Sequence, residues 1–156
     1  MTKFESRLIL YAAFVLVVLA FVSPLHAAGK LDIVRKFTKG NTELKVATFT
    51  ENAERVGLIG IASPARNSFA FKSKEWGVLI GLCTKASKIK SGTWTEVGSL
   101  SETGTTDVSH LTVSAGPGMN FVITSPKKGT VSYALQTQEY PALLAALQKV
   151  KAFLSP

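Results

Sequence analysis

Two stretches of this chain align on each other at a constant offset. Ser73-Lys74-Glu75-Trp76-Gly77-Val78-Leu79-Ile80-Gly81-Leu82-Cys83 lines up with Thr137-Gln138-Glu139-Tyr140-Pro141-Ala142-Leu143-Leu144-Ala145-Ala146-Leu147. Trp76 matches Tyr140, Leu79 matches Leu143, Ile80 matches Leu144, Cys83 matches Leu147 and Ala86 matches Val150. The steps i, i+3, i+4, i+7 and i+10 trace one face of an amphipathic helix. Ser73 and Thr137 fall where an N-cap hydroxyl is wanted, and Glu75 and Glu139 suit the positive end of a helix. The chain therefore carries two copies of one helix, and whatever precedes them should be duplicated too.

The preceding segments do correspond. Ile59-Gly60-Ile61-Ala62-Ser63-Pro64 resembles Phe121-Val122-Ile123-Thr124-Ser125-Pro126, and beyond the turns Phe69 and Phe71 match Tyr133 and Leu135 with strand alternation. Leu44-Lys45-Val46 resembles Leu111-Thr112-Val113, and Leu31–Phe37 has a rough counterpart in Thr93–Leu100. The unit is four strands and a helix, occurring over about residues 31–90 and 93–154. One antiparallel sheet with one helix covers a single face, so the two copies should pack into a closed core. The expected fold is α+β: two ββββα repeats forming one pseudo-two-fold domain over residues 28–156, with antiparallel sheets and two amphipathic helices.

Residues 1–27 differ from the rest. Lys3 and Arg7 precede an uncharged apolar run from Leu8 to Val22, followed by Ser23-Pro24-Leu25-His26-Ala27-Ala28. This has the form of a signal peptide cut near Ala27, with a membrane anchor over residues 8–22 as the alternative if it is not cut. The resulting expectation is a periplasmic or secreted protein. Cys83 is the only cysteine, so no intramolecular disulfide forms and the domain must rely on its core.

Few residues offer chemistry. Past residue 27 His110 is the only histidine; it corresponds to Glu43 in the first copy and should point away from the core. Cys83 shares the helical phase of Leu79 and Ile80 and reads as a small core hydrophobe. Ser114-Ala115-Gly116-Pro117-Gly118 lacks a phosphate-loop spacing and reads as a hairpin turn, and Ser99–Asp107 reads as a solvated loop. The acidic residues are scattered. No catalytic, metal or cofactor site is expected, and an enzyme using His110 with a carboxylate supplied by folding is the minor alternative.

What remains is positive charge, 18 Lys+Arg against 10 Asp+Glu. Lys85, Lys88, Lys149 and Lys151 suit helix C-termini. Arg66 and the Lys127–Lys128 pair occupy equivalent turns, and Lys45, Lys72 and Lys74 lie on or beside strands. Lys45, Arg66, Lys72, Lys127, Lys128 and Trp94 are thus the candidate anion-binding residues. The partner is expected to be an anionic ligand, an envelope surface or a protein, and self-association through a strand edge is open.

With its strand aromatics Phe69, Phe71, Tyr133 and Trp94, the duplicated ββββα unit resembles the Pur-alpha and Whirly class of single-stranded nucleic-acid binders over about residues 31–154. The resemblance is one of topology. It implies helices backing the sheets and an opposite sheet face that grips bases and phosphates with basic and aromatic side chains. The main functional expectation is nevertheless an exported, non-catalytic binding protein, because an export signal disfavours nucleic acid; single-strand binding is the alternative.

Overall fold

The computed structural model describes residues 29–64, 66–101 and 108–155. Strands β1 (Lys30–Lys39), β2 (Thr42–Glu51), β3 (Glu54–Ala62) and β4 (Arg66–Phe71) form an antiparallel meander that leads into helix α1 (Ser73–Ala86). Strands β5 (Thr95–Ser101), β6 (His110–Ala115), β7 (Met119–Ser125) and β8 (Gly129–Leu135) form a second meander. A single 3-10 turn, Thr137–Glu139, then opens helix α2 (Tyr140–Leu154). The fold is α+β, with two four-stranded sheets and two helices.

The two ladders repeat pair for pair. In the first sheet Leu44 faces Ile61, Val46 faces Ile59 and Gly57 faces Phe71. In the second Leu111 faces Ile123, Val113 faces Phe121 and Met119 faces Leu135. Even the irregularities match, since the register slips at Val34 in β1 and at Val97 in β5. A bulge bends its strand and strengthens the twist, so both sheets curl at the same place.

Helix formation follows the apolar phase read from the sequence. Trp76, Leu79, Ile80, Cys83 and Ala86 are the buried positions of α1, and Tyr140, Leu143, Ala146, Leu147, Val150 and Leu154 those of α2. The caps differ from expectation. Ser73 is already the first helical residue, because the Trp76 amide donates to the Lys72 carbonyl at 2.9 Å and extended Lys72 is the cap. In the second copy Gln136 takes that place, with its amide donating to Glu139 Oε2 at 2.9 Å in a capping box. Ser99–Ser101, expected in a loop, complete β5, because β6 offers Thr112, Leu111 and His110 as pairing partners.

One continuous core joins both sheets to both helices, from Phe37, Leu44 and Ile59 through Trp76 and Leu79 to Phe121, Leu143 and Val150. Its centre is a close approach of strand to helix: a Cβ at Gly57 would lie 2.5 Å from Trp76 Cε3 and 2.8 Å from Val150 Cγ1. Only glycine lets β3 come this near to the two helices.

Candidate functional site

Strand alternation gives each sheet two faces. In the first sheet one face, containing Leu44, Val46, Ile59, Ile61, Phe69 and Phe71, belongs to the core under the helices. The other carries charge. Lys36 and Lys45 are register partners on β1 and β2, and Glu43 lies on the same face one step along β2. Glu43 binds both lysines, Lys45 Nζ at 2.8 Å and Lys36 Nζ at 3.2 Å. The bonds from Lys45 and then Lys36 hold the Glu43 carboxyl below its ordinary range. One carboxylate cannot neutralise two ammonium groups, so the trio keeps a net positive charge.

The register extends this row across the sheet. Glu43 pairs with Ala62, and Ala62 with Arg66, so Arg66 occupies the same row two strands away, roughly 10 Å from Glu43. At that end Gly40, Asn41, Glu43, Ala62, Ser63 and Pro64 line an open cleft of about 470 Å³. The sequence alone does not single out Lys36, because its partnership with Lys45 exists only through β1–β2 pairing.

The other candidates do not join this group. Lys72 pairs with Glu54 at 3.1 Å, at the far end of β3 and roughly 26 Å along the strand from Ala62. Lys127 and Lys128 sit in the β7–β8 turn of the second sheet. Trp94, 48% exposed, lies against the Gly116–Gly118 hairpin at the opposite end of that sheet. The structure therefore resolves the six candidates into the Lys45–Arg66 row and three separate locations.

The strand aromatics need a correction. Phe69, Phe71 and Tyr133 are core residues, with Phe71 stacked edge-on against Trp76 at a centroid distance of 5.6 Å. They face the helices and are closed to any base. Burial, followed by the nearby charge of Glu139, raises the Tyr133 phenol above its ordinary value. Of the aromatics named from the sequence, Trp94 alone is exposed.

The second sheet's outer face is different in kind. On its outer face the first sheet carries Lys36 and Lys45, with Arg66 in the register row of Glu43. Arg55 reaches to α2, where its Nη1 donates to the Phe153 carbonyl at 3.1 Å, and Arg35 lies over the core residue Phe37. Strands β5–β8 carry no lysine or arginine on either face. In their place stand hydroxyls such as Thr112, Ser114, Thr124, Thr130 and Ser132, with Thr124 and Thr130 linked at 3.2 Å. His110 is exposed here, as its match with Glu43 implies, and its Nδ1 lies 2.9 Å from Ser101 Oγ. Asp107, its nearest carboxylate in sequence, lies outside the described residues. Cys83 is fully buried, and burial pushes its thiol up to about 12. Among the described residues no cluster of histidine, cysteine and carboxylate side chains has metal-site geometry.

The architecture is that of the Whirly-type topology. WHY3 from Arabidopsis thaliana superposes with a TM-score of 0.52 at 17% identity, covering 85% of this chain and 90% of its own. The plant transcriptional regulator PBF-2 superposes with a TM-score of 0.51 at 16% identity, covering 85% of this chain and 84% of its own. No protein-family model matches the chain, and no curated protein matches it by sequence.

These neighbours correct the expected location. A fold shared with a plant transcriptional regulator is at odds with the signal peptide, periplasmic and secreted readings. The composition of a short apolar run behind two cations fits export, but composition by itself does not fix where a chain goes. No helix among the described residues is long and apolar enough to cross a membrane. The leader of residues 1–27, with its candidate anchor over 8–22, lies outside the described residues.

Proposed function

We propose that the chain is a non-catalytic protein that binds single-stranded nucleic acid through the helix-free face of its first sheet. The observation that carries this is the Lys36, Lys45 and Arg66 row on the helix-free face of one sheet, in a fold shared with a plant transcriptional regulator. Lys36, Lys45 and Arg66 would contact successive phosphates, with Glu43 setting the spacing of the two lysines. Lys72, Lys127, Lys128 and the exposed Trp94 stand apart from this row and would meet only a strand long enough to run beyond the first sheet. Such a surface reads backbone charge and predicts little sequence preference.

The test is a salt titration with a fluorescent single-stranded oligonucleotide. Each phosphate neutralised contributes about −0.7 to the slope of log K against log salt, so three contacts predict a slope of about −2. Absence of binding at low salt, or an affinity indifferent to salt, overturns the reading.

A further inference from the structure

The two copies part company at one place on their outer faces. The register slips at Val34 and Val97, with the Leu44–Ile61 and Leu111–Ile123 pairs, fix which positions correspond there. Leu31 matches Trp94, Phe49 and Val56 match Gly116 and Gly118, and Ile33, Ala47 and Leu58 match Glu96, Ser114 and Asn120. In the first sheet all six positions are apolar, and Ala47, Phe49, Val56 and Leu58 form a cluster with Leu31 packed against it. In the second they are an indole, two glycines and three polar side chains. The fold does not require the exchange, because the core-facing positions stay apolar in both copies.

The exchange makes a platform. Extending the Thr95–Ala115 and Glu96–Ser114 register back by one residue sets Trp94 opposite Gly116, on the helix-free side with Glu96 and Ser114. Its Cη2 lies 3.6 Å from where a Cβ on Gly118 would stand, so the indole reaches from the edge strand across the hairpin. Side chains the size of Phe49 and Val56 at these two glycines would occupy the space of the ring. A Cβ at Gly116 would also come within 2.8 Å of the Thr93 carbonyl oxygen, and the Thr93 amide donates to Ser91 Oγ at 3.2 Å. The main chain carrying Trp94 is thus held from both sides, yet the residue remains 48% exposed.

About 7 Å along the strands from this platform, Glu96, Ser114 and Asn120 stand in one register row roughly 10 Å long. They supply a carboxylate, a hydroxyl and an amide, donors and acceptors together. The only charge in the row is negative and no strand of this sheet bears a cation, so a phosphate-bearing ligand is repelled. An uncharged ring with an apolar C–H side for the indole and hydroxyls for its polar neighbours satisfies every group present. We propose that Trp94, Glu96, Ser114 and Asn120 form a binding site for a neutral saccharide on the outer face of the second sheet. The proposal does not depend on what the Lys36–Lys45 row of the first sheet binds.

The test uses the full chain and its own fluorescence. The protein has two tryptophans and Trp76 is fully buried, so quenching by acrylamide reports Trp94. Maltohexaose, cellohexaose and N-acetylchitohexaose are the probes, with adenosine and oligothymidylate for comparison. At millimolar concentration at least one saccharide should shield Trp94, with an affinity unchanged across a salt series. By titration calorimetry Trp94→Ala should abolish binding, and Asn120→Ala and Glu96→Gln should each weaken it about three- to tenfold. The last two variants decide the matter should Trp94→Ala fail to fold. No shielding by any of the three saccharides, shielding by adenosine or oligothymidylate in their place, or an affinity untouched by these substitutions each overturn the proposal. None of the saccharide readouts involves nucleic acid, so a failure here is distinct from a failure of the binding reading.

Discussion

The indole Nε1 of Trp76 donates a hydrogen bond of 2.8 Å to the main-chain carbonyl of Leu147, tying the start of α1 to the middle of α2. By the repeat, the image of this pair is Tyr140 and Cys83. There the phenol is buried without a hydrogen bond to any described residue, and burial raises its pKa above the ordinary value. The two-fold relation thus holds for packing and is broken for this polar contact, which makes the Trp76 side of the helix pair the more tightly specified.

Trp76→Phe should remove the bond while keeping most of the apolar volume, and cost about 1–3 kcal/mol. Trp76→Ala adds a cavity beside Gly57 and Val150 and should cost about 3–5 kcal/mol. Urea denaturation of the full chain, read by circular dichroism, checks both. A Phe variant as stable as the parent would show that the Leu147 contact contributes nothing.

Two glycines should respond in opposite directions. Gly57→Ala drives a methyl into Trp76 and Val150 in the packed core, with an expected loss of about 1–3 kcal/mol. Gly81 lies exposed within α1 with open space around its Cβ position, so Gly81→Ala should gain about 0.5–1 kcal/mol. Thermal melts of the two variants provide the comparison.

Cys83 should make stability fall at alkaline pH. Its folded pKa is about 12 against an unfolded value of 9.0, so the native state holds the proton more tightly than the unfolded chain. That stability is fully present below pH 9 and is lost as pH rises through about 12. Tyr133 and Tyr140 shift in the same direction. Denaturant midpoints measured from pH 7 upward should decline more steeply for the parent than for Cys83→Ala. At pH 8 the native thiol should react with a disulfide reagent only as fast as the protein opens.

The charged row gives opposing effects on oligonucleotide affinity. Lys36→Gln and Lys45→Gln should each reduce the salt slope by about 0.7 and leave stability within about 0.5 kcal/mol of the parent. Glu43→Gln releases both ammonium groups and should tighten binding. Fluorescence anisotropy across a salt series measures all three. A Glu43→Gln variant that binds more weakly would remove this trio from the interface.

Periodicity within each copy makes the helices, their inward residues and the duplicated unit legible in the amino-acid order itself. Cys83 among Leu79 and Ile80 is the clearest case, since a three-and-four spacing already states which side of a helix is apolar. The charged trio is hidden for the opposite reason. Lys36 and Glu43 are neighbours because β1 turns back on β2 in a particular register, and the acidic residues look scattered until that register is known. Lys72, which like Lys45 lies on or beside a strand, is separated from it by the length of a strand, and Lys127, whose turn matches that of Arg66 in the repeat, is separated from it by the change of sheet.

Phe69, Phe71 and Tyr133 mark the boundary between the two kinds of information. Alternation along β4 and β8 shows that one side of each strand is apolar, which is a local property of the chain and is determined by sequence alone. Whether that side meets solvent or helices is decided only when both copies pack, because each sheet can bury one face and the helices of both units close over it together. That choice put the aromatics inside and left Lys36, Lys45 and the Ala47–Leu58 patch on the outer face, where the candidate chemistry of this protein is found.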